Sequence, residues 1–232
     1  MGAIFRREVR SYFTSPIGYI FLAAFYAYSG VMFANYSLES GYTRLDSVFS
    51  ALLIIIIVLI PVLTMRTISE EKRTKTDQCL LTAPVGLGSI VVGKFLAAFL
   101  IYIIAIAITG VFAVVVSAFG TPDWNVVVGN IVALALVGGA YIAIGIFCSS
   151  FTENQIVAAV ISFIALIFVS FLSTIGNLLP FEWLTTVCEK VSFGERYYSF
   201  TYGLFDFSNV VFFLSAIAVS YTHLTLPTTE RV

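Results

Sequence analysis

The sequence predicts an all-α membrane protein with six transmembrane helices, the sixth of which is truncated. The first observation is composition: 59% of the 232 residues are hydrophobic and 11% are charged, whereas about a quarter of an ordinary soluble domain is charged. The second is that apolar segments recur along the chain, each close to the roughly twenty residues that one helical span requires. A formal net charge of -1, without a basic face, excludes a nucleic-acid binder.

The length of the apolar segments places the spans. Five strong segments cover residues 16–36, 48–65, 90–119, 126–149 and 155–175. Each is long enough to cross a hydrocarbon core about 30 Å thick. A weaker sixth segment, residues 209–221, falls short by about a third. We therefore expect one transmembrane domain over residues 1–219 whose last span is cut short.

The C-terminal tail, residues 220–232, has neither helical nor strand periodicity. It resembles the translated sequencing-adapter sequence that ends many truncated assembled genes. We expect this tail to be non-native and the authentic chain to continue with about seven to ten further apolar residues.

Lys and Arg residues indicate the orientation, because they are enriched in short cytoplasmic loops. Eight of the twelve cations lie before the first span or between the second and third spans. The opposite side carries only Arg44, Lys190 and Arg196. We therefore expect the N-terminus and residues 66–94 to be cytoplasmic.

The N-terminal segment has the pattern of a helix lying in the headgroup plane. Its apolar residues recur at helical spacing while its charges occupy the opposite arc. The alternative is a disordered cationic tail. Ser15 is the expected N-cap of the first span, with Pro16 at its first helical position. The residues that form the amphipathic pattern are Phe5, Arg6, Arg7, Val9, Arg10, Tyr12 and Phe13.

Residues 66–94 form the most charged stretch of the chain. Thr67 and Glu70 have the spacing of a capping box, which predicts that a helix begins there. We expect Cys79, Leu80 and Leu81 in the body of this helix and a break at Pro84 before the third span.

A phosphate-binding motif is almost matched at the start of the third span. Gly88, Gly93 and Lys94 fit a P-loop, but Phe95 replaces the Ser or Thr that would hold magnesium, and the segment enters a membrane span. We therefore expect ATP and magnesium to bind a different chain. The three cysteines have no metal-ligand spacing, so no metal site or cofactor is predicted in this chain.

The predicted spans contain few residues that could serve in catalysis or ion transport. Spans two to five contain no charged residue or His in their central parts, which argues against an ion-coupled carrier. The only histidine, His223, lies beyond the last span, so an intramembrane enzyme is not expected. Gly138, Gly139 and Gly145 permit close helix approach, either inside one subunit or across a dimer interface.

Aromatic residues are concentrated in the segment 172–207. Rings with polar tips prefer the membrane interface, so we expect short helices that dip into the outer leaflet and anchor the protein there. The rings are Phe181, Trp183, Phe193, Tyr197, Tyr198, Phe200, Tyr202, Phe205 and Phe207.

The charged stretch also resembles a known family. Residues 64–73, followed by Thr76, residues 80–82, Pro84 and residues 90–95, are similar to the cytoplasmic signature of type-2 ABC exporter permeases. Residues 5–19 and 202–215 resemble the N-terminus and the approach to the last span of gliding-motility-type permeases. Lys75 departs from the pattern, because members often carry Gly at that position.

The resemblance implies a permease subunit in a prokaryotic plasma membrane, paired with a second copy or a paralogue and with separate ATP-binding subunits. It implies that the N-terminal helix is an elbow helix and that the helix between spans two and three is a coupling helix. The alternative is a non-transporting anchor or a force-transmitting component of an envelope complex. The expected coupling residues are Glu70, Glu71, Lys72, Arg73, Thr76, Leu80, Leu81 and Pro84.

The two carboxylates of this stretch lead to a further hypothesis. Lys72, Arg73 and Lys75 can bind anionic lipid, whereas Glu70 and Glu71 are repelled by it. We therefore expect Glu70 and Glu71 to meet cations on the ATP-binding subunit.

Overall fold

The computed structural model describes residues 2–39, 45–76, 86–178, 182–201 and 206–229. Within these ranges every regular element is helical, which confirms the all-α class. A π-helical segment, Ala34–Glu39, extends α2. The α-helices are α1 (Gly2–Thr14), α2 (Pro16–Phe33), α3 (Asp46–Thr64), α4 (Ser69–Thr74), α5 (Leu87–Ser117), α6 (Trp124–Ser149), α7 (Gln155–Ser170), α8 (Leu172–Gly176), α9 (Glu182–Val191), α10 (Phe193–Thr201) and α11 (Phe207–Thr229).

Five helical stretches in the described ranges are long and apolar enough to cross a membrane. Four of them correspond to the first four predicted spans, and the fifth corresponds to the predicted last one. The predicted six-span count is therefore not reproduced. The five stretches are Pro16–Leu38, Asp46–Thr74, Gly88–Ser117, Trp124–Ser149 and Phe207–Leu224.

The predicted span that is not reproduced is the fifth, which corresponds to α7. This helix has 16 residues and ends at Ser170. The predicted span over residues 155–175 breaks at Phe171, whose φ of -103° and ψ of 18° leave the helical range. At 1.5 Å per residue α7 is about 24 Å long, shorter than a hydrocarbon core of about 30 Å. The short helix α8 follows the break.

The last helix is longer than the sequence predicts. Helix α11 begins at Phe207 and continues to Thr229, and its apolar part extends to Leu224. The apolar part reaches this length only with residues 220–224, which belong to the predicted non-native tail, so the truncation of the sixth span stays a prediction. The non-native origin of residues 220–232 stays a prediction.

Helix α6 lies at the centre of the bundle, where it packs against α3, α5, α7, α10 and α11. Small residues in α6 allow the neighbouring helices to pack closely against it. A Cβ on Gly138 would overlap the Tyr102 ring of α5, and one on Gly145 would overlap the Thr64 side chain of α3. A Cβ on Gly139 would lie 3.3 Å from Ile217 of α11. All three glycines thus face neighbouring helices of the same chain.

The aromatic segment forms the short helices α8, α9 and α10. Phe193, Tyr197 and Phe200 are buried in the core, and the Tyr197 hydroxyl donates to the carbonyl oxygen of Phe49 at 2.8 Å. These three rings therefore hold the segment against the bundle and do not act as membrane anchors. Trp183 remains 67% exposed, while Phe181, Tyr202 and Phe205 lie outside the described residues.

Candidate functional site

Charged residues of α1, α4 and α5 meet at one end of the bundle. Helix α1, the connector from α3 into α4, the first turns of α5 and the last residue of α6 meet there. We call this region the charged end. It brings together most of the side chains that the sequence selects for coupling.

Helix α1 packs against α5 and α2 with its apolar side inward. Phe5 and Val9 are half-buried against the core, and Tyr12 is 8% exposed. Burial raises the pKa of Tyr12 to about 12, and its hydroxyl donates to the carbonyl oxygen of Leu63 at 3.1 Å. The inward face of the predicted N-terminal helix is therefore present, although Phe13 is 36% exposed.

The outward side of α1 carries the cations. Arg6 and Arg10 are exposed. Arg7 is also half-exposed, but its guanidinium reaches α4, where Nη2 lies 2.7 Å from Glu71 Oε1. The same nitrogen lies 2.6 Å from Oε1 of Glu8. Arg7 therefore links α1 to α4.

Lys94, in the second turn of α5, is the most buried charged side chain of the charged end, with 2% of its surface exposed. Its Nζ lies 2.8 Å from Glu71 Oε1 and 3.3 Å from Glu8 Oε1. It also donates to the carbonyl oxygen of Thr67 at 2.7 Å. We call Arg7, Glu8, Glu71 and Lys94 the ion cluster.

The ion cluster changes the interpretation of the two carboxylates. Glu71 has two cations of its own chain, so it requires none from an ATP-binding subunit. Glu70 pairs with Arg66 at 2.5 Å in an i,i+4 bridge, and a surface pair of this kind contributes about 0–1 kcal/mol. Neither partner of Glu71 is predicted by the local sequence, because Arg7 and Lys94 lie far from Glu71 along the chain.

The N-terminus of α4 is capped from another helix. The Ser149 hydroxyl oxygen lies 3.3 Å from the backbone nitrogen of Ile68 and 3.2 Å from that of Ser69, and it donates to the Met65 carbonyl at 3.1 Å. The predicted capping box between Thr67 and Glu70 is wrong, because α4 begins at Ser69 without a side-chain cap of its own. The last residue of α6 supplies the acceptor.

A second contact joins α4 to the C-terminal end of α6, because the Lys72 ammonium donates to the carbonyl oxygen of Ser150. At the other end of α4, Lys75 adopts a left-handed conformation with φ 56° and ψ 21°. Arg73 and Thr76 are exposed. Cys79, Leu80, Leu81 and Pro84 lie outside the described residues.

A shallow cleft runs beside α4. Arg73 lines it on one side, and the start of α7 lines it on the other. Helix α7 is capped there by Asn154, whose Oδ1 accepts from the Ile156 amide at 2.9 Å. The α7 side of the cleft is formed by Glu153, Asn154, Gln155 and Ile156.

Gly88, Gly93 and Lys94, the residues of the P-loop-like motif, lie in the first turns of α5. A Cβ on Gly93 would lie 3.0 Å from Ile4, so this glycine allows α1 to pack closely. Lys94 belongs to the ion cluster. The near-match to a phosphate-binding motif therefore has a packing role and an ion-pairing role in this fold.

Sequence reasoning missed three groups of this site: Lys94, Ser149 and Glu8. A charged residue at the start of an otherwise apolar helix was the available signal for Lys94, because such a residue needs a partner when it is buried. Ser149 gave no signal, since a serine at a helix end usually bonds within its own turn.

Comparison with known proteins indicates the family of this chain. The family model described as ABC-2 family transporter protein matches residues 26–220. The match runs from α2 into α11 and includes α4, Lys94 and Ser149. A search of curated proteins found no match. The chain therefore belongs to the ABC-2 transporter family and is a membrane permease component of an ABC transporter.

Proposed function

We propose that this permease works as an exporter and that its ATP-binding subunit docks on the charged end. The observation that carries the proposal is the attachment of α4 to three other helices at that end. ABC-2 membrane components operate with an ATP-binding partner. ATP and magnesium bind that partner, and this chain takes no part in hydrolysis.

The docking surface is the outward side of α4 together with the cleft beside it. Arg73 and Thr76 are exposed there, and Glu153 lies across the cleft. A surface that mixes both signs of charge gives specificity and orientation to a protein partner more than it gives raw affinity. The exposed Arg6 and Arg10 of α1, the elbow helix of this proposal, extend the surface on the other side.

A movement of α4 is transmitted to the core of the bundle by hydrogen bonds between α4 and the C-terminal end of α6. Ser149 and the carbonyl of Ser150 join α4 to α6, which packs against most other helices of the bundle. Closure of the ATP-binding subunits therefore displaces α4 and α6 together. Such a displacement switches the path between inward- and outward-facing arrangements, as rigid-body transitions do in other allosteric proteins.

A second permease copy or a paralogue completes the transporter. Helix α7 supports this, because it is short and exposes apolar side chains along its whole length, among them Ile156, Val160, Ile164 and Phe168. Membrane lipid covers the remaining apolar surface. The cation asymmetry predicts that the charged end lies in the cytoplasm. The resemblance to gliding-motility-type permeases, which implies a prokaryotic cell, stays a prediction.

Co-purification with the ATP-binding subunit tests the docking surface. Arg73→Glu reverses one exposed charge on α4, and we expect it to lower the recovered amount of ATP-binding subunit severalfold. Lys190→Glu is the matched control, because it makes the same charge change on α9, away from the charged end. Docking at α4 would be contradicted if both variants lowered the recovery of the ATP-binding subunit equally, or if neither variant lowered it.

ATP-dependent movement of a solute in proteoliposomes separates an exporter from an anchor. The vesicles are loaded with a small-molecule and lipid extract of the host cells, and mass spectrometry follows what crosses the bilayer. We expect ATP to drive movement out of the compartment that contains the ATP-binding subunit. A complex that hydrolyses ATP without moving any component would favour the non-transporting alternative.

A further inference from the structure

The ion cluster joins three helices that are distant in sequence. Glu8 and Arg7 belong to α1, Glu71 to α4 and Lys94 to α5. Its two cations and two carboxylates balance, so the cluster carries no net charge. Neutral clusters of this kind tolerate burial, whereas a buried charge without a partner does not.

Lys94 is the member that fixes the others in place. Its side chain is 2% exposed, while those of Glu8 and Glu71 are 13% and 17% exposed and that of Arg7 is 51% exposed. The ammonium contacts one carboxylate from each of α1 and α4, and it also donates to the Thr67 carbonyl in the connector before α4. One buried ammonium therefore uses its three donors on three separate parts of the chain.

The surroundings of Lys94 leave it little freedom. Gly93 allows α1 to approach so closely that a Cβ there would lie 3.0 Å from Ile4. Arg7 closes the cluster from the solvent side by contacting Glu8 and Glu71 together. Separating α1 from α4 would break the Arg7–Glu71 pair and would leave Lys94 with only one of its two carboxylates, which is unfavourable for an ammonium that is 2% exposed.

We propose that Lys94 is a positioning residue that makes α1 and α4 move as one body with the start of α5. The inference rests on the proposed function, because it describes how a displacement of α4 by the ATP-binding subunit is passed on. Through Lys94 the elbow helix follows α4, so the two helices present one surface of fixed shape to the partner. Lys94 touches neither nucleotide nor solute in this mechanism.

Distances between spin labels in the complex with the ATP-binding subunit test the proposal. One label pair joins Arg10→Cys on α1 to Thr74→Cys on α4, and a second joins Thr74→Cys to Trp183→Cys on α9. The native cysteines are replaced by Ser. Each pair is measured without nucleotide and with ATP and vanadate.

We expect the α1–α4 distance to stay the same and narrowly distributed in both nucleotide states, while the α4–α9 distance changes. Lys94→Met should broaden the α1–α4 distribution, make it depend on nucleotide and abolish any stimulation of ATP hydrolysis by the permease. Lys190→Met is the control, because it removes an exposed cation on α9, away from the charged end, and should change none of these readouts.

The outcomes distinguish the two levels of the proposal. If no ATP-binding subunit joins the unmodified permease, the proposed function fails. If the subunit joins but the α1–α4 distance changes with nucleotide in the unmodified permease, the role of Lys94 is overturned. Should Lys94→Met not fold, the double variant Lys94→Met with Glu71→Gln removes one charge of each sign, and an unchanged narrow α1–α4 distribution in it would also overturn the role.

Discussion

The hydroxyl oxygen of Ser149 lies 3.2 Å from the backbone nitrogen of Ser69, so the last residue of α6 caps the first residue of α4. A side chain from the same segment normally makes such a bond. Here the acceptor comes from the helix that packs against most of the bundle. The beginning of α4 and the end of α6 are therefore fixed to each other.

Removal of this cap should destabilise the protein. Ser149→Ala deletes the acceptor of the Ile68 and Ser69 amides, and loss of an N-cap typically costs about 1 kcal/mol. We expect a lower melting temperature in detergent and weaker co-purification of the ATP-binding subunit. Ser150→Ala is the control, because within the described residues the Ser150 hydroxyl donates to the carbonyl oxygen of Phe147 in its own turn. An equal loss in both variants would contradict the capping role.

The left-handed conformation of Lys75 predicts a stabilising substitution. A non-glycine residue in this region costs about 1 kcal/mol, and glycine is the common residue just after a helix. We expect Lys75→Gly to raise the melting temperature, and Thr74→Gly, inside α4, to lower it. If Lys75→Gly is as destabilising as Thr74→Gly, Lys75 does not end the helix in a left-handed conformation in the native protein.

Close packing of α6 on α3 can be tested at Gly145. Gly145→Ala places a Cβ against Thr64, and overpacking of this kind costs about 1–3 kcal/mol. Gly110→Ala in α5 is the control, because its Cβ would meet no other atom within 4 Å. Thermal unfolding of both variants is the measurement. The packing is contradicted if the two variants have the same stability.

The sequence predicts the first four spans well, because long uninterrupted apolar runs have few alternatives to a membrane helix. It also predicts α1, where Phe5, Val9 and Tyr12 recur at helical spacing. The break at Phe171 was missed, because residues 155–175 are predominantly apolar and the break depends on tertiary packing. Gly194 of α10 approaches so closely there that a Cβ on it would lie 2.6 Å from the carbonyl oxygen of Ser170.

The candidate site was predicted only in its location. Residues 66–94 are charged in the sequence, so a site at this end of the bundle could be expected. The partners of Glu71 could not be predicted, since they are Arg7 in α1 and Lys94 in α5. The cap of α4 could not be predicted either, because Ser149 lies eighty residues away from Ser69. Local patterns such as the capping box do not contain these long-range contacts.

Thiol labelling tests the orientation. In a background without Cys79 and Cys148, Thr74→Cys places a thiol on exposed α4, while native Cys188 lies partly exposed in α9. In intact cells we expect a membrane-impermeant reagent to modify Cys188 and to spare the cysteine at position 74. Permeabilised cells should show labelling at both positions. The reverse pattern in intact cells would invert the predicted topology.

Site-specific photo-crosslinking tests the docking of the ATP-binding subunit on the charged end most directly. A photoreactive amino acid replaces Thr76, just after α4, or Trp183, which is exposed on α9. We expect irradiation of the complex to join the ATP-binding subunit to position 76 and not to position 183. A crosslink from position 183 with none from position 76 would contradict docking at the charged end.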